Sequence, residues 1–242
     1  TIYGLSGNGE IYPINTTNAS VGTVVKNSSY SGNSVKSANG MGYNNYNGKF
    51  YYFKRNASNA VQEFVSFEPA TNTVTILAPS TATVDIHTGC VSYDGKGYYT
   101  VDVDGKLHYY DIVANTWTLL TTSIVDQNNN DVSAIIRVQN AGDMAIDGHG
   151  NIWLVTSSDA NWGLYKLPAP MPTTATAKLN VVRMIAPTAV TPTGKSFAGI
   201  AFKPDGSIYM STKNGNRLYL LLNTTYVLNY IGTFSVSDIG ND

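Results

Sequence analysis

The sequence predicts an all-β chain folded as a ring of repeated blades, and three observations predict it. A unit made of a short apolar strand, an Asp/Asn-Gly turn and an aromatic strand recurs along the chain. Asn, Ser, Thr and Gly supply 93 of the 242 residues and concentrate in the connections, while β-branched and aromatic residues fill the strands. No segment sustains a helical period; residues 131–139 are the only ambiguous stretch.

The units follow in order. Gly40-Met41-Gly42-Tyr43 precedes Asn47-Gly48-Lys49-Phe50-Tyr51. Cys90-Val91-Ser92-Tyr93 precedes Asp94-Gly95-Lys96-Gly97-Tyr98-Tyr99. Met144-Ala145-Ile146 precedes Asp147-Gly148-His149-Gly150-Asn151-Ile152-Trp153, and Ile200-Ala201-Phe202 precedes Lys203-Pro204-Asp205-Gly206-Ser207-Ile208-Tyr209. Glycine is needed because tight hairpin turns require positive φ. A third strand is expected after each pair, at residues 10–14, 61–67, 106–112, 163–167 and 217–222. A fourth is expected at 21–25, 73–77, 117–120, 180–185 and 226–231.

Four antiparallel strands in about 48 residues make the blade of a β-propeller. The C-terminal residues 237–242 read as a first strand and its turn, and residues 1–5 as a second strand with nothing before it. Together they complete one blade, so the expected fold is a five-bladed β-propeller forming one domain over 1–242. Its blades span 236–242 plus 1–27, then 38–80, 87–125, 140–185 and 196–235. The C-terminal strand closes the ring on the N-terminal blade and removes open sheet edges. A β-sandwich is the alternative, but its strands would not repeat this unit at blade spacing. Consecutive bulky positions such as Phe50-Tyr51-Tyr52-Phe53, Tyr98-Tyr99 and Tyr109-Tyr110 suit middle strands covered on both faces. A sugar-stacking platform is the other use for such rings.

Composition narrows the partners. Lys and Arg number 15 against 16 Asp and Glu, a net charge of -1, which gives no electrostatic reason to bind nucleic acid. No run approaches the roughly 18 apolar residues of a membrane span, so no direct membrane insertion is expected. Cys90 is the one cysteine, which leaves no intrachain disulfide and no cysteine-rich zinc site. It sits in an apolar strand and reads as a small buried hydrophobe. Charged residues are 13% of the chain, about half the usual share. That scarcity, with the Asn/Thr/Ser/Tyr richness, points to an extracellular, cell-surface or virion-surface protein. Five Asn-x-Ser/Thr sequons begin at Asn15, Asn18, Asn27, Asn56 and Asn223, and glycosylation stays open. Thr1 begins in mid-strand, so the chain reads as a piece of a longer protein.

The units at 147–153 and 204–209 resemble NHL-type repeats and are similar to those of gluconolactonase-like propellers. Asn216-Arg217-Leu218 stands where a later element of those repeats belongs. The resemblance implies blade construction. Its gluconolactonase-like members also imply a divalent metal held by Glu, Asn and Asp around the central channel. The corresponding positions here, at or before each first strand, are Asn39, His87, Asn140 or Asp143, Ser196 and Asp238. None is Glu: the three glutamates, Glu10, Glu63 and Glu68, fall on other strands. Asn39, Asp143 and Asp238 could hold a hard cation such as calcium, since such ions take carboxylate and amide oxygens. Otherwise no cofactor is expected, and these residues would hold ordered water at the channel mouth.

No nucleophile motif is present. His108 lies in an aromatic strand and His149 in a turn, so both read as structural. Residues 126–131 alternate ligand types as a calcium loop does, but Arg137 stands where the twelfth-position Glu belongs. They read as a polar connection.

The function expected is therefore a non-catalytic recognition or structural domain of an adhesin, surface filament or virion. Its partners would be other domains of a longer surface protein, or a surface glycan or protein ligand. Binding is expected at a channel mouth of Asn39, His87, Asn140, Asp143 and Asp238, with loops 26–36, 121–140 and 168–178 contributing. The alternatives are a carbohydrate-binding, lectin-like propeller, though these blades are not near-identical, and a metal-dependent lactonase-like hydrolase.

Overall fold

The computed structural model describes residues 1–25, 29–30, 33–56, 62–80, 82, 84–136, 141–157, 162–188, 196–213, 215–236 and 239. Along the chain, β1 (Ile2–Leu5) pairs antiparallel with β2 (Ile11–Ile14). The first full blade is β4 (Asn33–Asn44), β5 (Lys49–Asn56), β6 (Glu63–Glu68) and β7 (Thr73–Ile76), and the short β3 (Ser29–Tyr30) is hairpinned onto the start of β4. The second is β8 (Cys90–Val91), β9 (Gly97–Val101), β10 (Leu107–Asp111) and β11 (Thr116–Thr121). After β12 (Ile124–Val125) and the one-turn α1 (Ser133–Ile136) comes the third blade. It is built from β13 (Ala141–Ile146), β14 (Ile152–Ser157), β15 (Trp162–Leu167) and, past β16 (Leu179–Asn180), β17 (Val182–Thr188). The fourth is β18 (Phe197–Phe202), β19 (Ile208–Thr212), β20 (Arg217–Leu221) and β21 (Leu228–Thr233). Each blade is an antiparallel meander whose strands pair in chain order.

The fold is thus an all-β propeller of four-stranded antiparallel blades, with four such blades rather than the five expected. The shortfall lies in residues 1–25. There β2 is followed by a single bridge, Ile14↔Val21, instead of a fourth strand. Pro13 is the physical reason. Its carbonyl accepts Gly22 N–H at 2.9 Å, so its backbone faces that outer neighbour, but proline has no N–H to bond back. On the other side β1 gains only the bridge Ser6↔Ile239; of the C-terminal strand expected at 237–242, Ile239 alone is described.

The ring is nonetheless continuous. The first strands β4, β8, β13 and β18 touch in that order, and β1 touches both β18 and β4. Apolar side chains fill each gap between sheets. Leu5 and Ile11 pack on Phe50 and Tyr52. Phe53 and Phe64 meet Tyr98 and Tyr110, and Tyr99 and Leu107 share a cluster with Leu154 and Tyr165. Val155 and Leu164 join Met210 and Tyr219, and Ile2 and Ile14 join Tyr209 and Leu218. A strand between two such clusters needs bulk on both faces, which is why every residue of β9 is buried. The tyrosines at 98, 99, 109 and 110 are therefore core, not a sugar platform.

Toward the axis the opposite rule holds. The inner strands approach so closely that a Cβ on Gly42 would lie 2.6 Å from Val91 N, and one on Gly89 would overlap the Tyr98 ring. Residues 120–125 pair with 176–181, and Ile124, Val132, Ile136 and Val181 join the apolar cluster shared by the second and third blades. There β12 runs parallel to β16, and Thr176 N–H and Val181 N–H donate to the carbonyls of Leu120 and Val125. Among the described residues no helix is long and apolar enough to cross a membrane.

Candidate functional site

A carboxylate clasps the β13–β14 hairpin turn that lines the site, and the β9–β10 turn, away from it, is built the same way. At Asp147, Oδ1 accepts the N–H groups of His149 and Asn151, while Oδ2 accepts the Asn151 amide and the Trp153 indole N–H, each at 2.8–3.0 Å. Gly150, at φ 83°, supplies the left-handed residue that lets the strand resume. Asp102 repeats the pattern: Oδ1 accepts Asp104 N–H and Lys106 N–H, Gly105 sits at φ 84°, and Oδ2 pairs with His108 Nε2 at 2.9 Å. An Asp, a glycine three residues on and a ring nitrogen six on thus recur as one device. Burial pushes both carboxyls up, but the donors around them outweigh it and hold both below the usual carboxylate range. The buried Asp102–His108 pair is in this sense a turn clasp. His108 is packed, as its aromatic strand predicts.

The β4–β5, β8–β9, β13–β14 and β18–β19 turns and the C-terminal halves of β4, β8, β13 and β18 enclose a funnel of about 1030 Å³ on the ring axis, its wall completed by residues 1–4 and Ile239. Its floor holds Cys90, Asp143, Met144 and Ile200. Its lip carries three tyrosines, Tyr43, Tyr46 and Tyr93, exposed by 39%, 72% and 57%. Tyr46 lies on Gly95 of the next blade's turn, where a Cβ would fall 2.4 Å from its ring, and Tyr93 flanks Gly150 of the blade after that.

Asp143 lines the funnel. It is buried, its Oδ2 accepts Ile200 N–H from β18 at 3.3 Å, and the N–H groups of Met144 and Gly89 face it at poorer geometry. Oδ1 has no hydrogen-bond partner. Burial drives this carboxyl well above its ordinary range, because the charged form has no water around it. Burial, and then the nearby Asp143 charge, push the Cys90 thiol up as well. A disulfide-exchange reagent is expected to label Cys90 slowly in the native protein and stoichiometrically after denaturation. Fast native labelling would show that the thiol reaches solvent and is reactive.

The other expected site residues do not join Asp143. Asn39 and His87 precede the funnel-lining residues along their strands, toward the opposite end of the ring. Asn39 donates to Ser37 O at 3.3 Å. His87 is half-buried, with Asp85 4.0 Å away; burial lowers its pKa, against the pull of Asp85 and with the help of Arg55 and Lys213. Asn140 and Asp238 lie outside the described residues. Among the described residues no three His, Cys, Asp or Glu side chains sit close enough to hold a metal ion. Residues 126–131 form a polar turn in which the Asp126 carboxylate accepts N–H groups of Asn128 and Asn130.

Sequence reasoning placed the mouth at the strand starts and so missed the tyrosine lip. The available signal was Tyr46 and Tyr93 themselves: an aromatic ring inside a tight turn has no core to fill. It also missed the buried ion pair of Lys54 and Glu63, partners across β5 and β6.

No family model matches this chain, and no curated protein matches it. Solved structures do. One is the crystal structure of a structural genomics protein of unknown function from Bacteroides thetaiotaomicron. Its TM-score is 0.56 at 10% identity, over 95% of this chain and 58% of that one. The likeness shows the fold alone, and the chain spans 58% of the length of that protein. A chain of the mitotic checkpoint complex matches at TM-score 0.45 and 11% identity, over 79% of this chain and 48% of that one, too slight a likeness to carry an argument.

Proposed function

We propose that this chain is a non-catalytic recognition domain of an extracellular or surface-exposed protein, with its ligand seated in the axial funnel. The observation that supports this reading is how the funnel's ionisable groups are engaged. Asp147 accepts four donors within its own turn. Lys203 stands 3.6 Å from Asp205, and Lys166 lies over the Trp153 ring. Asp143 is held by the Ile200 N–H beside the buried Cys90 thiol, and among the described residues no three His, Cys, Asp or Glu side chains could hold a metal ion. General acid–base chemistry needs a positioned pair. What the lip offers instead is exposed ring and amide surface on a rigid frame, which suits contact.

The experiment is a binding and turnover screen on the intact domain, with and without calcium, using lactones, neutral oligosaccharides and short peptides. A saturable ligand weakened by Tyr93→Ala, with no lactone hydrolysed, is the expected result. Lactone turnover, or calcium binding lost in Asp143→Ala, would replace this reading with a metal-dependent hydrolase.

The same reading takes the β1–β2 sheet as a reduced fifth blade. In the second blade, Ile86 bridges Asp102, the first residue of the β9–β10 turn. Ile239 bridges Ser6, the first residue of the β1–β2 turn, whose hydroxyl accepts Glu10 N–H as Asp102 accepts Lys106 N–H. Ile239 and Val21 then stand where first and fourth strands belong. Kinship of the blades to NHL-type or gluconolactonase-like repeats belongs to this proposal too, supported by the Asp147–Trp153 turn.

A further inference from the structure

Resting on the recognition reading above, we infer that the funnel binds a neutral saccharide, stacked on Tyr46 and Tyr93 at the lip with its hydroxyls directed to the adjoining turns and the floor. The juxtaposition that carries this is a row of exposed tyrosine rings on two neighbouring blades above a buried carboxyl oxygen that lacks a partner.

The rings come first. Tyr46 and Tyr93 occupy equivalent tight turns of successive blades; the Tyr46 ring rests on Gly95 of the next turn, and Tyr93 flanks Gly150 of the turn after that. Both rings remain exposed, so a flat apolar face stays in water. Sugar rings present apolar C–H faces of matching size, and a preorganised aromatic face binds them with little entropy to lose. The same turns carry polar groups at the ring edges, where sugar hydroxyls project. Asn44 Oδ1 fixes the Tyr46 N–H at 2.9 Å, leaving the neighbouring Asn45 side chain at the lip. Ser92, whose Oγ donates to Asp94 Oδ1 at 2.6 Å and accepts the Gly97 N–H, lines the funnel beside Tyr93.

Charge then selects the class. Lys203 stands 3.6 Å from Asp205, and Lys166 lies over the Trp153 ring, whose indole N–H bonds Asp147. Both funnel lysines are thus engaged, and among the described residues no cluster of His, Cys, Asp or Glu could cage a metal ion. At the floor, Asp143 Oδ1 is a buried polar atom awaiting a hydrogen-bonding partner, and a hydroxyl can either give or take the proton there. The funnel volume of about 1030 Å³ is at the upper end for small-ligand sites, room for several linked rings.

Calorimetric titration of the intact domain with cellotetraose, chitotetraose and galactotetraose tests the inference. Saturable binding of one of them is expected, weakened about tenfold or more by Tyr46→Ala and by Tyr93→Ala. Tyr230→Ala, an equally exposed ring on the outer strand β21, should leave it unchanged. Thermal melting of all three variants near the wild-type temperature separates lost contact from lost fold. Binding that persists in both lip variants overturns the site. A short proline-rich peptide that binds where the saccharides do not, and is lost in the lip variants, overturns the saccharide while keeping the recognition reading. No binding by either class, together with lactone turnover, overturns both.

Discussion

At about pH 5 the Asp143→Ala protein is expected to melt roughly 5–10 °C below the wild type, a loss of about 2–3 kcal/mol. The carboxyl is buried where three blades converge, with Ile200 N–H bonded to it and the Met144 and Gly89 N–H groups turned toward it. Alanine leaves a buried donor without its acceptor and opens a small void between inner strands that otherwise touch backbone to backbone. Asparagine keeps an acceptor of the same shape, so Asp143→Asn should recover most of the loss. Calorimetric melting of the three proteins decides it. An Asp143→Ala protein as stable as wild type would mean that the inner strands hold without this residue.

The pH dependence of that difference has a definite sign. Burial raises the Asp143 pKa in the folded ring above its unfolded value, so the native state holds this proton more tightly. The associated stability is fully present below the ordinary carboxylate pKa of about 4 and falls away as pH rises through the interval up to the raised value. Cys90, the titratable neighbour on β8, is also raised, and it adds a loss of the same sign at alkaline pH. Asp102 and Asp147 act the other way, since their lowered pKa values cost stability only as pH falls through the acid range. Comparing wild type with Asp143→Asn at each pH cancels those shared terms. The wild type should lose ground to the variant as pH rises from about 4, the ordinary carboxylate value, toward the raised one. A difference that stays flat across that range would show that Asp143 is not buried as a proton-bearing acid.

The turn chemistry made the blades legible. A glycine at positive φ between an apolar strand and an aromatic one marks each hairpin, so the strands after Gly48, Gly95, Gly150 and Gly206 fall where the sequence puts them. Alternation failed as a guide in the middle strands and bulk replaced it, which is itself readable, as in residues 97–101. Pro13 is legible in the same way: a third strand that must bond on both sides cannot carry a proline facing its outer neighbour. The site was harder. Asp143 is a polar residue inside an apolar first strand, and its axial position follows from that. Which end of the inner strands opens into a funnel depends on how the turns splay across blades, a relation between residues roughly fifty apart in chain that no local pattern encodes. Asn39 and His87 were chosen by position along the strand, and they sit toward the closed end of that relation.

Ile239→Asp is expected to cost the ring at least about 4 kcal/mol and to abolish cooperative melting under conditions where the wild type folds. Ile239 has no solvent exposure, and it packs with Ile2, Ile14, Tyr209 and Leu218 between the β1–β2 sheet and the fourth blade. Its methyl group comes so near β1 that a Cβ on Gly4 would lie 2.5 Å from it. A carboxylate there has no partner within that apolar cluster, whereas alanine removes bulk alone and should cost about 2–5 kcal/mol. Removing residues 239–242 should act as Ile239→Asp does, because the bridge to Ser6 goes with the side chain and leaves the β1 edge unpaired. That edge is adjacent to the residues forming one wall of the funnel, so ligand binding and ring closure should fail together. Circular dichroism melting and size-exclusion chromatography read the two consequences, loss of the cooperative transition and association through the exposed edge. A truncated chain that melts like the wild type and stays monomeric would show that the fourth blade and the β1–β2 sheet hold the ring shut without the C-terminal segment.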